Sequence, residues 1–379
     1  MRIAVPAEND KSEHRVAATP ETVKRFKALN AEVAVQSGAG FGSGFLDDAY
    51  EAAGATIVHS AEEAIRDADV VLRVRRPSAD DLNGLKGGAA VVGIMDPYGN
   101  VDALKSLAEK GASAFAMEFM PRITRAQVMD VLSSQANIAG YRAVIDAASE
   151  FGRAIPMMTT AAGTVAAAKM FIMGVGVAGL QAIAMARRLG GVVTATDVRP
   201  ATKEQVESLG AKFVAVQNKE FKEAETAAGY AKEMSDDYKR QQAELVAEHI
   251  AKQDIVVCTA LIPGKPAPRL VSAKMVESMK PGSVIVDLAA ERGGNCELTK
   301  PGETFVTDNG VKIVGALNLA GAVPQTASQL YAKNLYAFVE TFFDKESKAF
   351  SIPWDDELVK ATLLTRDGKL VHPNFTEAA

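Results

Sequence analysis

Short apolar runs bounded by polar segments recur along the first 120 residues: Ile3–Val5, Glu32–Gln36, Ala55–Val58, Val70–Val74, Ala89–Ile94 and Ala112–Met117. Such runs predict strands buried on both faces rather than the one-sided alternation of a solvated sheet. Between most of them the apolar positions fall at helical spacing, as in Pro20–Leu29 and Val101–Lys110. Strands alternating with helices of this length predict a parallel sheet covered on both sides. Ser133–Phe151 then reads as one long helix, after which the pattern restarts. Strand Lys169–Met173, helix Ala178–Leu189, strand Val192–Thr196, helix Thr202–Leu209 and strand Lys212–Val216 follow in order, with later strands at Asp254–Cys258, Ser283–Asp287 and Lys312–Val314. A second α/β unit is therefore expected over about 138–318, followed by a second long helix, about Ala327–Phe343.

The tail carries Asp367-Gly368 between two β-rich runs, a hairpin signal. It is too short to stand alone and is expected to return to the first domain, giving domains of 1–137 plus 319–379 and of 138–318. Two stretches break the regular rhythm. Residues 154–186 hold a single charge, Lys169, but their uncharged runs are too short and too polar for a membrane span, so a buried strand–turn–helix is expected there. Residues 217–250 are too long for a compact crossover; the second half reads as a solvated helix, and the first, about 217–235 with Ala227-Ala228-Gly229-Tyr230, as a mobile loop.

Composition narrows the function classes. The 379 residues suit two domains, and 48% hydrophobic with 23% charged residues describe a chain with a real core. Forty-two basic against 47 acidic residues, with no basic block, leave no electrostatic footprint for nucleic acid. Two cysteines, Cys258 and Cys296, make neither a disulfide framework nor a zinc site, which suits a reducing compartment, and no metal set can be assembled.

Candidate chemistry centres on Gly174-Val175-Gly176-Val177-Ala178-Gly179, which follows an apolar run and opens a helix. In a dinucleotide-binding turn the first glycine permits the tight bend, the second lets pyrophosphate approach the backbone, and the third allows close helix–sheet packing. The helix start adds unpaired N–H groups and a partial positive charge. Asp197 ends the next strand, 18 residues after Gly179, where a carboxylate would bind a ribose 2′-hydroxyl and favour NAD(H) over NADP(H), although Arg199 nearby could accommodate a 2′-phosphate.

A second constellation, Met120-Pro121-Arg122-Ile123-Thr124-Arg125-Ala126-Gln127-Val128-Met129-Asp130-Val131-Leu132-Ser133-Ser134-Gln135, lies between a strand and the long helix. Its two arginines, glutamine and carboxylate could fix the nicotinamide end of a cofactor; its spacing equally suits a loop whose Asp130 or Ser133 caps a helix. Lys265, Glu291 and Arg292 sit in loops after strands. The four histidines, His14, His59, His249 and His372, show no ligand spacing.

With both constellations the chain resembles the NAD(H)-binding component of proton-translocating transhydrogenases, over nearly its full length. This resemblance runs from MRIAVPAE to GKLVHP, and the motifs that carry it are PRITRAQVMDVLSSQANIAGYRAVI, GVGVAGLQAIA, TDVRPATKEQVESLGAKF, AAGYAKEMS, TALIPGKPAP and DLAAERGGNCELT. The resemblance implies an α/β fold of two Rossmann-like doubly wound parallel-sheet domains joined by long helices, with an NAD-binding cleft between them. It implies a homodimer with a proton-conducting membrane component (alpha2 and beta subunits) as partner. NADP(H) would be bound by a domain of that beta subunit, and the chain would lie in the cytoplasm, peripheral at the inner membrane of a bacterium. By the same resemblance Arg122, Asp130 and Ser133 would hold the NADH nicotinamide, with Ile123, Thr124 and Arg125 in the same loop. Gln127 would reach the partner's nucleotide. Gly174, Gly176, Val177 and Gly179 match the pyrophosphate turn, and Asp197, Val198 and Arg199 the adenosine-ribose segment. Gly229 and Tyr230 match a loop that closes over the nucleotide, and Gln242 and Leu261 match further cofactor contacts.

Alanine dehydrogenases are similar too, sharing the opening pattern and Arg15, a position that resembles their carboxylate anchor. The chain departs from them at Arg75, where they carry lysine, in Gly93-Ile94-Met95-Asp96-Pro97-Tyr98, where they carry histidine, and at Glu291, where they carry aspartate. Amino-acid oxidation moves a proton as well as a hydride and needs a positioned acid or base. Transfer between two nicotinamide rings needs only close approach with water excluded. Transhydrogenation is therefore the expected activity, with an alanine dehydrogenase-type enzyme and a non-enzymatic NAD-sensing module as alternatives.

Overall fold

A computed structural model describes residues 1–222, 224, 234–262 and 264–376, and the chain divides into two compact units, Met1–Gln135 with Ala320–Ala379, and Ala136–Leu319. The first unit is built on β1 (Arg2–Val5), β2 (Glu32–Gln36), β3 (Thr56–Val58), β4 (Val70–Arg75), β5 (Ala90–Ile94) and β6 (Ser113–Ala116). They form one all-parallel sheet in the order β3-β2-β1-β4-β5-β6. Alternate residues serve opposite faces: Ile3, Val5, Val35 and Leu72 enter one apolar cluster, Ala4, Val71, Val91 and Ala114 another. Helix Pro20–Ala28 starts after Thr19, whose hydroxyl accepts from Thr22 N–H, and Pro20 occupies a position that needs no N–H. The tail hairpin turns at Asp367 and Gly368, both at positive φ, and Leu364 N–H donates to Ala114 O at 2.8 Å.

The second unit repeats the plan with β7 (Lys169–Met173), β8 (Val192–Thr196), β9 (Lys212–Phe213), β10 (Ile255–Cys258), β11 (Val284–Asp287), β12 (Thr304–Val306) and β13 (Lys312–Val314), ordered β9-β8-β7-β10-β11-β13-β12. The sheet is parallel except for β12, which pairs antiparallel with β13. The sequence pattern had no place for this edge strand. Only five residues separate β12 from β13, too few for a crossover, so the chain can only return antiparallel.

Two expectations need correcting. Residues 154–186 are a buried strand–turn–helix only from Ala168 onward; Pro156–Ala166 are exposed, and Met158–Thr160 pairs with Gly163–Val165 as a hairpin. Uncharged composition signalled burial, but this hairpin leaves both its strands open to solvent. The strand expected over Lys212–Val216 stops at Phe213. Three helices frame the sites: α1 (Val131–Glu150), α2 (Val177–Arg188) and α3 (Pro324–Thr341).

Candidate functional site

In the second unit β7 and β10 lie side by side at the centre of the sheet, and the strands on either side of this pair run outward in opposite orders. That is a topological switch point, which leaves a crevice beyond the strand ends. The Gly174–Gly179 turn occupies it, and its three glycines differ in what surrounds them. Gly174 has φ +99°, and a β-carbon there would lie 2.8 Å from Thr259 Oγ1. A β-carbon on Gly179 would lie 1.9 Å from Gly174 O, so this glycine lets α2 press against the turn. At Gly176 a β-carbon would meet nothing within 4 Å among the described residues. The one glycine not needed for packing thus faces open space. Gly176 is also the N-cap of α2 and offers no side-chain acceptor, so among the described residues no N-cap side chain receives the first N–H groups of the helix. Open space over a glycine at an uncapped helix start fits a pyrophosphate.

Around this turn the structure places the remaining candidates of the unit. Asp197 Oδ2 accepts from Val175 N–H at 2.8 Å, joining the end of β8 to the turn, and Oδ1 accepts from Arg199 N–H at 2.9 Å. Arg199 closes back on the carboxylate through Nε at 2.9 Å and Nη2 at 3.0 Å. Val177, Val198 and Leu261 are exposed large apolar residues at the same edge of the sheet. Gln242 is committed to the protein itself: Oε1 accepts from Val216 N–H at 2.9 Å and Nε2 donates to Thr196 Oγ1 at 3.1 Å. Gly229 and Tyr230 lie outside the described residues.

Two supports of the turn escaped the sequence reading. Thr259 Oγ1 donates to Gly174 O at 2.8 Å, and the fully buried Asn295 pins the next residue, accepting from Ala260 N–H at 3.0 Å and donating to Ala260 O and Pro268 O at 2.8 Å. The only cue was an asparagine directly after Gly293 and Gly294, both at positive φ.

In the first unit the loop from Arg122 to Ser133 becomes a 3₁₀ helix, Thr124–Met129, leading into α1. Its threefold repeat puts Ala126 and Met129 into the core and leaves Gln127 and Val128 exposed. Arg122 and Thr124 are exposed as well, and Ile123 is half-buried. Arg125 is held on the surface by Asp356 at 2.7 Å and Glu357 at 3.2 Å. Asp130 caps α1: its carboxylate accepts from Ser133 N–H at 2.9 Å and Ser133 Oγ–H at 2.5 Å. These two therefore come together as a preformed pair. Asn334 of α3, another residue the sequence did not single out, donates to Val128 O and accepts from Ser134 Oγ, both at 2.7 Å, and so fixes the loop from behind.

The switch point of this unit, between β1 and β4, is furnished differently. Glu8 accepts from Val74 N–H at 2.8 Å and Arg75 N–H at 3.2 Å, and faces Arg73 at 3.4 Å. Burial raises the Glu8 carboxyl above its ordinary value against the opposing charge of Arg73. Arg15 donates to Glu13 through Nε at 2.7 Å and Nη2 at 2.6 Å, and to Gln135 Oε1 at 2.8 Å, while Arg75 Nε reaches the same Glu13 at 2.8 Å. Burial pushes Glu13 up, but the hydrogen bond and charge of Arg15 and the charge of Arg75 outweigh it and hold it low. Glu118, at the end of β6, receives Met95 N–H at 2.9 Å and Asp96 N–H at 2.5 Å and is pushed up to about 7, chiefly by burial.

The chain matches two family models, the alanine dehydrogenase/PNT N-terminal domain over residues 4–139 and the corresponding C-terminal domain over residues 143–373. It is 53% identical to the first part of the NAD(P) transhydrogenase alpha subunit of Rhodospirillum rubrum, over 99% of both chains. A crystal structure of a transhydrogenase from Sinorhizobium meliloti superposes with a TM-score of 0.90 at 57% identity, covering 98% of this chain and 100% of that one. An alanine dehydrogenase of Halomonas elongata is more distant, 30% identical over 100% of this chain and 96% of the relative. The chain belongs to the alanine dehydrogenase/PNT family, on the side of the NAD(P) transhydrogenase alpha subunits.

Proposed function

We propose that the chain is the NAD(H)-binding subunit of a proton-translocating transhydrogenase, passing hydride directly between NADH and NADP⁺ held by a partner component. The observation that carries this reading is the Gly174–Gly179 turn, whose middle glycine faces open space at an uncapped helix start. Backbone N–H groups at the start of α2 would receive the pyrophosphate, and Asp197 with Val198 and Arg199 would line the adenosine ribose. Arg122, Asp130 and Ser133 would hold the nicotinamide, and Gln127, exposed on its 3₁₀ turn, would meet the partner's nucleotide. Bound NADH supplies the hydride, and no residue of this chain needs to donate or accept a proton. That suits the absence of lysine at position 75 and of histidine between 93 and 98.

The same reading assigns residues 138–318 as the NAD(H)-binding domain and places proton conduction in a membrane partner. No helix among the described residues is long and apolar enough to cross a membrane. It also makes the chain a homodimer at the cytoplasmic face of the membrane. The exposed methionines at and just before the hairpin, Met157 68% and Met158 44% accessible, support a surface that a second copy covers.

The test follows hydride exchange between NAD(H) and NADP(H) species spectrophotometrically, with and without a separately purified NADP(H)-binding transhydrogenase component. A parallel sample contains NADH, pyruvate and ammonium. Exchange only with the partner present, and no pyruvate-dependent oxidation, is the expected result. Pyruvate-dependent loss of NADH without the partner would make the chain an amino-acid dehydrogenase. Tight NADH binding without exchange would make it a sensing module.

A further inference from the structure

The Asp197 carboxylate, the group expected to receive a ribose hydroxyl, is fully occupied by the protein. Each oxygen accepts two hydrogen bonds: Oδ1 from Arg199 N–H and Nε–H, and Oδ2 from Val175 N–H and Arg199 Nη2–H. A carboxylate has about four lone-pair sites, so no good acceptor position is left. Arg199 Nη2 donates in addition to Val175 O at 3.1 Å, so the guanidinium bridges the carboxylate and the backbone of the glycine turn. The Asp197 side chain is only 8% exposed and that of Arg199 27%, which makes the arginine the member of the pair with room to leave.

We propose that Arg199 sets selectivity at the ribose 2′ position, by standing in for the ribose hydroxyl on Asp197 and shielding that carboxylate from a 2′-phosphate. The inference rests on the reading of the Gly174–Gly179 turn as the NAD(H) site. Two of the four donors are backbone N–H groups fixed by β8 and the turn; the other two belong to the arginine side chain and can be exchanged. A 2′-hydroxyl carries a proton and can replace Nε–H or Nη2–H bond for bond, leaving the carboxylate satisfied. A 2′-phosphate carries nearly two negative charges and no proton to give at neutral pH. Against a bare Asp197 it would be repelled, since like charges would stand side by side. Against the pair it meets a neutral unit, whose guanidinium can turn from carboxylate to phosphate and bind it in the same planar fashion. The carboxylate therefore favours a free hydroxyl, and Arg199 limits how strongly a 2′-phosphate is refused.

The experiment measures dissociation constants of NADH and NADPH, and of 5′-ADP and 2′,5′-ADP, for the full chain and for Arg199→Ala and Arg199→Lys, with melting temperatures as a control for folding. In Arg199→Ala the ratio of NADPH to NADH dissociation constants rises at least about tenfold, as does that of the two fragments, through loss of the side-chain cation on Asp197. Arg199→Lys keeps a cation there and holds the ratio within about threefold of the original. A ratio unmoved by Arg199→Ala, in protein that binds NADH normally, overturns this inference alone. Wild-type protein that binds neither nucleotide overturns the parent reading and this inference with it.

Discussion

The two units share the first five strands of one winding order, yet their switch points are filled in opposite ways. In the second unit the crevice beyond β7 and β10 is lined by backbone: a glycine turn, an uncapped helix start and open space over Gly176. In the first unit the crevice beyond β1 and β4 is filled by side chains, with Glu8 on the backbone of β4 and Glu13 shared between Arg15 and Arg75. The same topology yields one crevice shaped to receive an anion and one that carries its own. Winding order supplies the crevice; side chains decide what may enter it. The first unit also exposes Gln127 on a 3₁₀ turn that Asn334 braces. On the proposed function the second unit would take the pyrophosphate and adenosine ribose, and the first would supply the loop for the nicotinamide and the partner's nucleotide.

The most forceful way to break this division is Glu13→Ala. It leaves Arg15, whose side chain is 3% exposed, without its carboxylate, and should cost about 3–5 kcal/mol of stability by urea unfolding while NADH affinity stays unchanged. A matching loss of affinity would show that the first crevice also binds nucleotide. In the second unit Gly176→Ala should do the reverse. The melting temperature should hold, because no described residue lies within 4 Å of the added carbon, while NADH binding weakens about tenfold or more, roughly 1.4 kcal/mol. Gly179→Ala differs, since its carbon would press into Gly174 O, so stability and binding should fall together.

Gln127→Asn sharpens the division further. It should slow hydride exchange with the partner more than about tenfold through misplacement, with NADH affinity nearly intact by titration. If rate and affinity fall together, Gln127 acts in binding rather than positioning. The effect furthest from function is a pH slope at Glu118. Its carboxyl sits at about 7 in the folded protein against an ordinary 4.5, so the folded state holds a proton that the unfolded chain has lost. The stability this gives is complete below pH 4.5 and is lost as pH rises through about 7. Glu118→Gln should flatten the decline of the urea midpoint between about pH 5 and 8; an unchanged decline would assign it to another group.

The central strands were legible because strands covered on both faces must be apolar throughout. Lys169–Met173, Val192–Thr196, Glu32–Gln36 and Lys312–Val314 fall where the apolar runs place them. The edges were not. Thr304–Val306 is three residues long and largely solvent-facing, so it leaves no run to read. The hairpin at Met158–Val165 misled for the opposite reason: its residues look buried and are exposed. At the site, the glycine turn was readable because steric demands on glycine are local. Asn295 and Asn334 act across 35 and 206 residues, to Ala260 and Val128, and one sequence does not reveal such pairings. Nor does the sequence say that Arg199 turns back on Asp197.

The most direct measurement is hydrogen–deuterium exchange of the whole chain with and without NADH. New protection is expected at residues 174–180 and 197–199, with none at residues 6–8 or 73–76. Protection concentrated at residues 6–8 and 73–76, with the glycine turn unchanged, would contradict it.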